Sequence, residues 1–254
     1  MDGRRALPDL VLAARFLTIV PVPGRESTGK NALGRAAWWF PPVGLALGVG
    51  LAAADRGIAW LFPPLLAALL VVSLWKVLTG GIHLDGLADC LDGLAGRDVP
   101  HRLAIMRDSR VGVYGALGLV VVFLTSLVAL AELPPGPRGV TLVLAPMTGR
   151  IAPLLAGALL RAATPASGLG GAFVAALPRA AGPVYGALAV ILAGVLVGGW
   201  GMAAVGAGLA LALLGAALVA RRLGGITGDG LGAAVELGEL GVLLAAAAHT
   251  RLAA

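Results

Sequence analysis

The sequence predicts an all-α fold: a polytopic membrane bundle of about seven transmembrane helices, with an amphipathic or re-entrant helix at the N-terminus. Three observations lead there. The 254 residues are 59% hydrophobic, and the mean hydropathy is +0.94. Only 13% are charged, against about 25% in an ordinary soluble domain. Apolar runs close to bilayer length recur along the chain, separated by short segments rich in Gly, Pro and Arg. The 39 glycines and the Ala-rich stretches suit helices that pack closely in lipid, where small residues let backbones approach. No repeat and no second domain is evident, so residues 1–254 read as one integral membrane domain. The single cysteine, Cys90, rules out an intramolecular disulfide framework and reads as a small packing residue.

Residues 6–20 form the first element, an amphipathic or half-buried helix. Asp9 and Arg15 interrupt its apolar run, unlike the uninterrupted core of a cleavable signal. The turn-forming segment "PVPGRESTGKN" ends it. Spans are then expected at about 36–54, 58–78, 112–131, 139–160, 183–198, 202–220 and 231–248. The stretch from Gly182 to Ala220 carries no charge, and "GGWG" (Gly198–Gly201) is its expected hairpin. Trp38, Trp39, Trp60 and Trp75 stand near span ends, as in an aromatic belt.

Orientation follows from the distribution of basic residues. With a cytoplasmic N-terminus, the inner segments hold Arg25, Lys30, Arg97, Arg102, Arg107, Arg110, Arg161, Arg179, Arg221 and Arg222. The outer ones hold only Arg56, Arg138 and Arg251. The formal charge is +6, and 17 of the 19 basic residues are Arg. Their scatter among apolar spans favours lipid and phosphate over nucleic acid as partners, and the small-residue spans leave room for a homodimer. This topology brings two polar islands to the cytoplasmic side: "HLDGLADCLDG" and "GGITGDGLGAAVELGEL".

The first island concentrates acid. On a helix at about 100° per residue, Asp85, Asp89 and Asp92 fall within about 60° of one another. Three like charges on one stripe in a low dielectric need a neutralising partner. A hard divalent cation suits that oxygen-rich set, and Mg²⁺ is the expected one. The second island offers Asp229 and Glu236 to complete the shell, with Glu239 one turn beyond Glu236. Downstream of the stripe, Arg102, Arg107 and Arg110 are suited to phosphate oxygens, with Ser109 beside them in "DSRVGVYG", a glycine-punctuated loop. His83 stands next to the stripe and could donate to substrate. Arg150 lies inside an expected span and needs a partner, either the acidic site, a phosphate or a structural ion pair. Metal-bridged carboxylates with arginines at one membrane face fit phosphoryl or nucleotidyl transfer.

These blocks carry a resemblance. "GGIHLDGLADCLDGLAG", "RLAIMRDSRVGVYGALGLV" and "GGITGDGLGAAVELGEL", with "RFLTIVPVP" and "WWFPPVGLALG" before them, resemble the cobalamin synthase (adenosylcobinamide-GDP ribazoletransferase) family in consistent order. The resemblance implies a Mg²⁺-dependent inner-membrane transferase of the last steps of vitamin B12 biosynthesis. It would join adenosylcobinamide-GDP to α-ribazole or its 5′-phosphate, with release of GMP. The residues expected to carry this chemistry are Asp85, Asp89, Asp92 and Asp229 in catalysis and metal binding, with Asp229 or Glu236 completing the metal shell, and Arg102, Arg107, Ser109, Arg110, His83 and Arg150 in substrate contacts.

Two other readings share some of these features. A CDP-alcohol phosphotransferase also uses clustered aspartates in the order D-G-x-x-A on a membrane helix. Here "DGLAD" is one residue short of that order, and Asp89 stands where an arginine belongs. An ion-coupled transporter would place its carboxylates at a midplane between repeats, not with arginines toward one face.

Overall fold

The computed structural model describes residues 3–163 and 168–253, and within them the chain is a helical bundle. It begins with α1 (Gly3–Leu17) and the short α2 (Ala32–Ala36), which runs through one 3-10 turn into α3 (Phe40–Leu61). There follow α4 (Pro64–Leu78), α5 (Ile82–Leu94), α6 (Val99–Ile105), α7 (Val113–Ala131) and α8 (Pro135–Leu159). The last part holds α9 (Gly168–Ala176), α10 (Ala181–Val197), α11 (Gly199–Leu223) and α12 (Gly228–Leu252). Among the described residues the extended pairing is a single bridge, Ala162 with Ile226. It ties the segment after α8 to the turn before α12.

Five helices are long and apolar enough to cross a membrane, or seven if each of two bent pairs counts as one crossing. The chain is therefore a multi-pass membrane protein. The charge-free stretch divides as expected, at Gly198, whose φ of 75° lets α10 turn into α11. The second span differs from expectation. α3 continues to Leu61, because the break needs Pro63, which is extended, and Pro64, which starts α4. With 15 residues, α4 is only about 22 Å long, short of a full crossing. At its end Gly80 and Gly81 both adopt left-handed φ, 62° and 68°, a conformation most side chains avoid. The chain turns by 88° there into the acidic helix α5. A second sharp bend, of 83°, joins α9 to α10. The sequence pattern does not mark α9 as a helix of its own.

The core is built on α8 and α12. From Thr141 to Leu154 nearly every side chain of α8 is buried, because α3, α10, α11 and α12 all pack around it. Small residues make those contacts close. A Cβ at Gly48 of α3 would come within 2.6 Å of the Leu142 carbonyl oxygen and 2.7 Å of that of Val143. Gly48→Ala is therefore expected to cost about 1–3 kcal/mol, the usual price of overpacking, read as a lower midpoint in thermal unfolding of detergent-solubilised protein. Arg138 corrects another expectation. It is not a loop charge: α8 starts at Pro135, and the guanidinium is buried against Asp55 of α3, 2.6 Å from Nη2 to Oδ1.

Candidate functional site

α5 and α12 cross at a glycine contact. A Cβ on Gly86 would lie 2.8 Å from the carbonyl oxygen of Asp229, and one on Gly232 would lie 3.5 Å from the Cα of His83. At position 86 only glycine permits this approach, and it brings the two acidic islands together. Thr227 fixes the start of α12 by accepting a hydrogen bond from the Gly230 amide at 3.0 Å. Asp229 thereby stands in the first turn, half-buried beside α5. On α5, Asp85 is exposed and Asp89 half-buried. Asp89 lies within electrostatic reach of Asp85, Asp92 and Asp229. Among the described residues, no ion pair reaches Asp85, Asp89 or Asp229.

Asp92 is on the same stripe but is differently engaged. Oδ2 accepts from the Gly112 amide at 2.7 Å and Oδ1 from that of Gly115 at 2.9 Å. The carboxylate thus serves two of the free amides at the start of α7, where the helix dipole also favours negative charge. It pins the loop of residues 106–112 to α5. Asp92→Asn keeps one acceptor but sets an amide group against a backbone donor. A loss of about 1–3 kcal/mol of local stability is expected, measured as faster tryptic cleavage at Arg107 and Arg110. Both oxygens of Asp92, expected as a metal ligand, are thus engaged by backbone amides.

The arginines divide by partner. One guanidinium nitrogen of Arg102 donates to the Arg222 carbonyl at 3.0 Å, so this side chain caps the end of α11. Arg110 bonds Asp108 two residues away at 2.7 Å, and these hydrogen bonds hold the Asp108 carboxyl down at about 2. Arg107 and Ser109 are exposed on the same loop. The loop that carries them is tethered to Asp92 on the acidic helix through the Gly112 amide.

Two candidate residues lie in a separate, buried cluster. Lys76 of α4 donates to Glu236 at 2.6 Å and to Glu239 at 2.7 Å. Arg150 of α8 pairs with the other oxygen of Glu239. Two cations and two carboxylates thus balance one another inside the bundle, joining α4, α8 and α12. Glu236, expected as a metal ligand, is bonded to Lys76 through one carboxylate oxygen in this cluster. Arg150 takes the structural alternative. Lys76 is the residue that sequence reasoning passed over; a lone lysine in the apolar run "SLWKVL" was the available signal, because a buried ammonium requires a counter-charge. His83, buried and in electrostatic reach of both Lys76 and Arg150, lies between this cluster and the acidic crossing.

Fold and site together define a multi-pass membrane protein with an acidic centre where two helices cross, edged by basic residues. The comparisons with known proteins make this specific. Residues 9–247 match the cobalamin-5-phosphate synthase family, and the chain belongs to that family. It is 40% identical over 243 residues to the adenosylcobinamide-GDP ribazoletransferase of Ectopseudomonas mendocina, covering 93% of this chain and 97% of the relative. It is 38% identical to that of Geotalea daltonii, over 90% and 92% of the two chains, and 36% identical to that of Brevibacillus brevis, over 91% and 94%. No solved structure matches the chain. Nothing in these relatives favours the CDP-alcohol phosphotransferase or transporter readings.

Proposed function

We propose that the chain joins adenosylcobinamide-GDP to α-ribazole or its 5′-phosphate, releasing GMP and giving adenosylcobalamin or its 5′-phosphate, and that it does so with Mg²⁺ at the cytoplasmic face of the inner membrane. The carrying observation is the trio Asp85, Asp89 and Asp229, within electrostatic reach of one another and without a cation partner among the described residues. No three acidic, His or Cys side chains among the described residues form a ready-made cage. That fits Mg²⁺, which usually takes one or two protein carboxylates and completes its shell with water and substrate phosphate.

When bound, Mg²⁺ would neutralise charge on the pyrophosphate. The chain's own residues account for the remaining requirements. Arg107 and Ser109, exposed on the tethered loop, can reach phosphate oxygens, and Arg110 can join them by exchanging Asp108 for phosphate. The ribose 3′-hydroxyl of the ribazole attacks the phosphorus bonded to the cobinamide arm. The new oxygen–phosphorus bond forms as the bridging oxygen–phosphorus bond breaks, and GMP departs with the bridging oxygen. The hydroxyl proton passes to a carboxylate of the trio that is not fully shared with the metal.

Purified protein in detergent or vesicles, given adenosylcobinamide-GDP and α-ribazole, is expected to release GMP in step with corrinoid product. EDTA should stop release and added Mg²⁺ should restore it. Release of CMP from a CDP-alcohol, with no GMP from the corrinoid substrate, would overturn the reading.

A further inference from the structure

A cavity of about 380 Å³ adjoins the acidic crossing, between α1, the start of α3, α9 and the first turns of α5 and α12. Aromatic rings line it. Phe16 stacks on Phe40 with ring centroids 5.9 Å apart, and Phe40 stacks on Phe173 at 5.6 Å. Leu33 and Leu231 complete the apolar wall. The polar residues along it are few: Arg15, His83 and Asp229. Arg15 is already committed to the carbonyls of Val22 and Gly24 and to Glu26. His83 is only 5% exposed, yet its Nδ1 has no hydrogen-bond partner. A buried ring nitrogen left unpaired is costly; this one belongs to a residue that lines the cavity, and a turn of the ring is needed to present it there. Asp229 stands where the cavity meets the carboxylates.

We infer that this cavity receives the base of the nucleoside acceptor, with the flat benzimidazole ring of α-ribazole against the phenylalanines and its free ring nitrogen toward His83; the inference rests on the transferase reading. Three comparisons of chemistry single out this occupant. The corrinoid is several times too large for a cavity near the small end of ligand sites. Guanine has donors and acceptors around most of its edge, and each would need a partner when buried; apart from the committed Arg15, the cavity offers only His83 and Asp229. Dimethylbenzimidazole has one exposed ring nitrogen and is otherwise apolar, which matches a wall that is mostly aromatic and aliphatic. With the base inside, the ribose lies at the mouth, beside Asp229, where its hydroxyl has to lose a proton.

The test uses the full chain in detergent micelles, with Phe173→Leu, which removes a stacking ring, and Leu33→Phe, which reduces the cavity volume. In both, the KM for α-ribazole is expected to rise by roughly tenfold, while the KM for adenosylcobinamide-GDP stays unchanged. Equilibrium dialysis with α-ribazole alone should show the same weakening, and GMP should not displace the bound nucleoside. An unchanged α-ribazole affinity in both variants, a rise confined to the nucleotide substrate, or displacement by GMP would each overturn the assignment. Wild-type protein that binds α-ribazole but releases no GMP would refute the transferase reading while leaving the cavity assignment standing.

Discussion

Asp229→Asn is expected to reduce GMP release by about 10²–10⁴-fold, the range associated with losing a group that handles a proton in the transition state. Asp85→Asn should fall in the same range. The substitution is nearly isosteric. The α12 cap depends on Thr227 and the Gly230 amide, and the α5 contact is made by the backbone of residue 229. Folding should therefore survive, and circular dichroism with an unchanged thermal midpoint in detergent will show whether it has. Activity should not recover fully at saturating Mg²⁺, because the lost carboxylate also accepts a proton in the proposed mechanism. Near-wild-type turnover in both variants would mean that the chemistry lies elsewhere than the α5–α12 crossing.

The second large effect is on stability. Lys76→Met removes one cation from the buried cluster and leaves Glu236 and Glu239 with Arg150 alone. Breaking a buried pair by deleting one partner costs about 3–5 kcal/mol, because the remaining charge is desolvated without compensation. A comparable loss is expected in Lys76→Met, as a marked drop in the thermal midpoint in detergent. Restoring charge balance should recover part of it: the double variant Lys76→Met with Glu236→Gln is expected to be more stable than Lys76→Met by itself. If the double variant is the less stable of the two, Lys76 stabilises the bundle by packing and not by charge.

Local patterns made much of this architecture legible. Hydropathy found the membrane class, and the 3.6-residue period placed Asp85, Asp89 and Asp92 on one stripe of a helix that runs from Ile82 to Leu94. The glycines at 198–201 marked the α10–α11 hairpin. Pairings between distant segments were not legible. Glu236 reads as a plausible ligand until Lys76, 160 residues earlier, is seen bonded to it. Asp92 looks identical to Asp89 in sequence; only the backbone amides of α7 separate their roles. The cavity is assembled from α1, α2, α3, α5, α8, α9 and α12, so no single stretch of sequence carries its pattern. The bend at Gly80–Gly81 fell between these cases, visible as a glycine pair but not as an 88° turn.

The buried cluster also bears on how the chain is made. Synthesis runs from α4 to α12, so Lys76 and Arg150 emerge from the ribosome well before the two glutamates that neutralise them. Until the final helix arrives, two helices carry uncompensated positive charge toward lipid, where such charge is expensive. A chain cut short before residue 236 would never acquire the counter-charges. Docking of α12 thus completes the charge balance of the buried cluster.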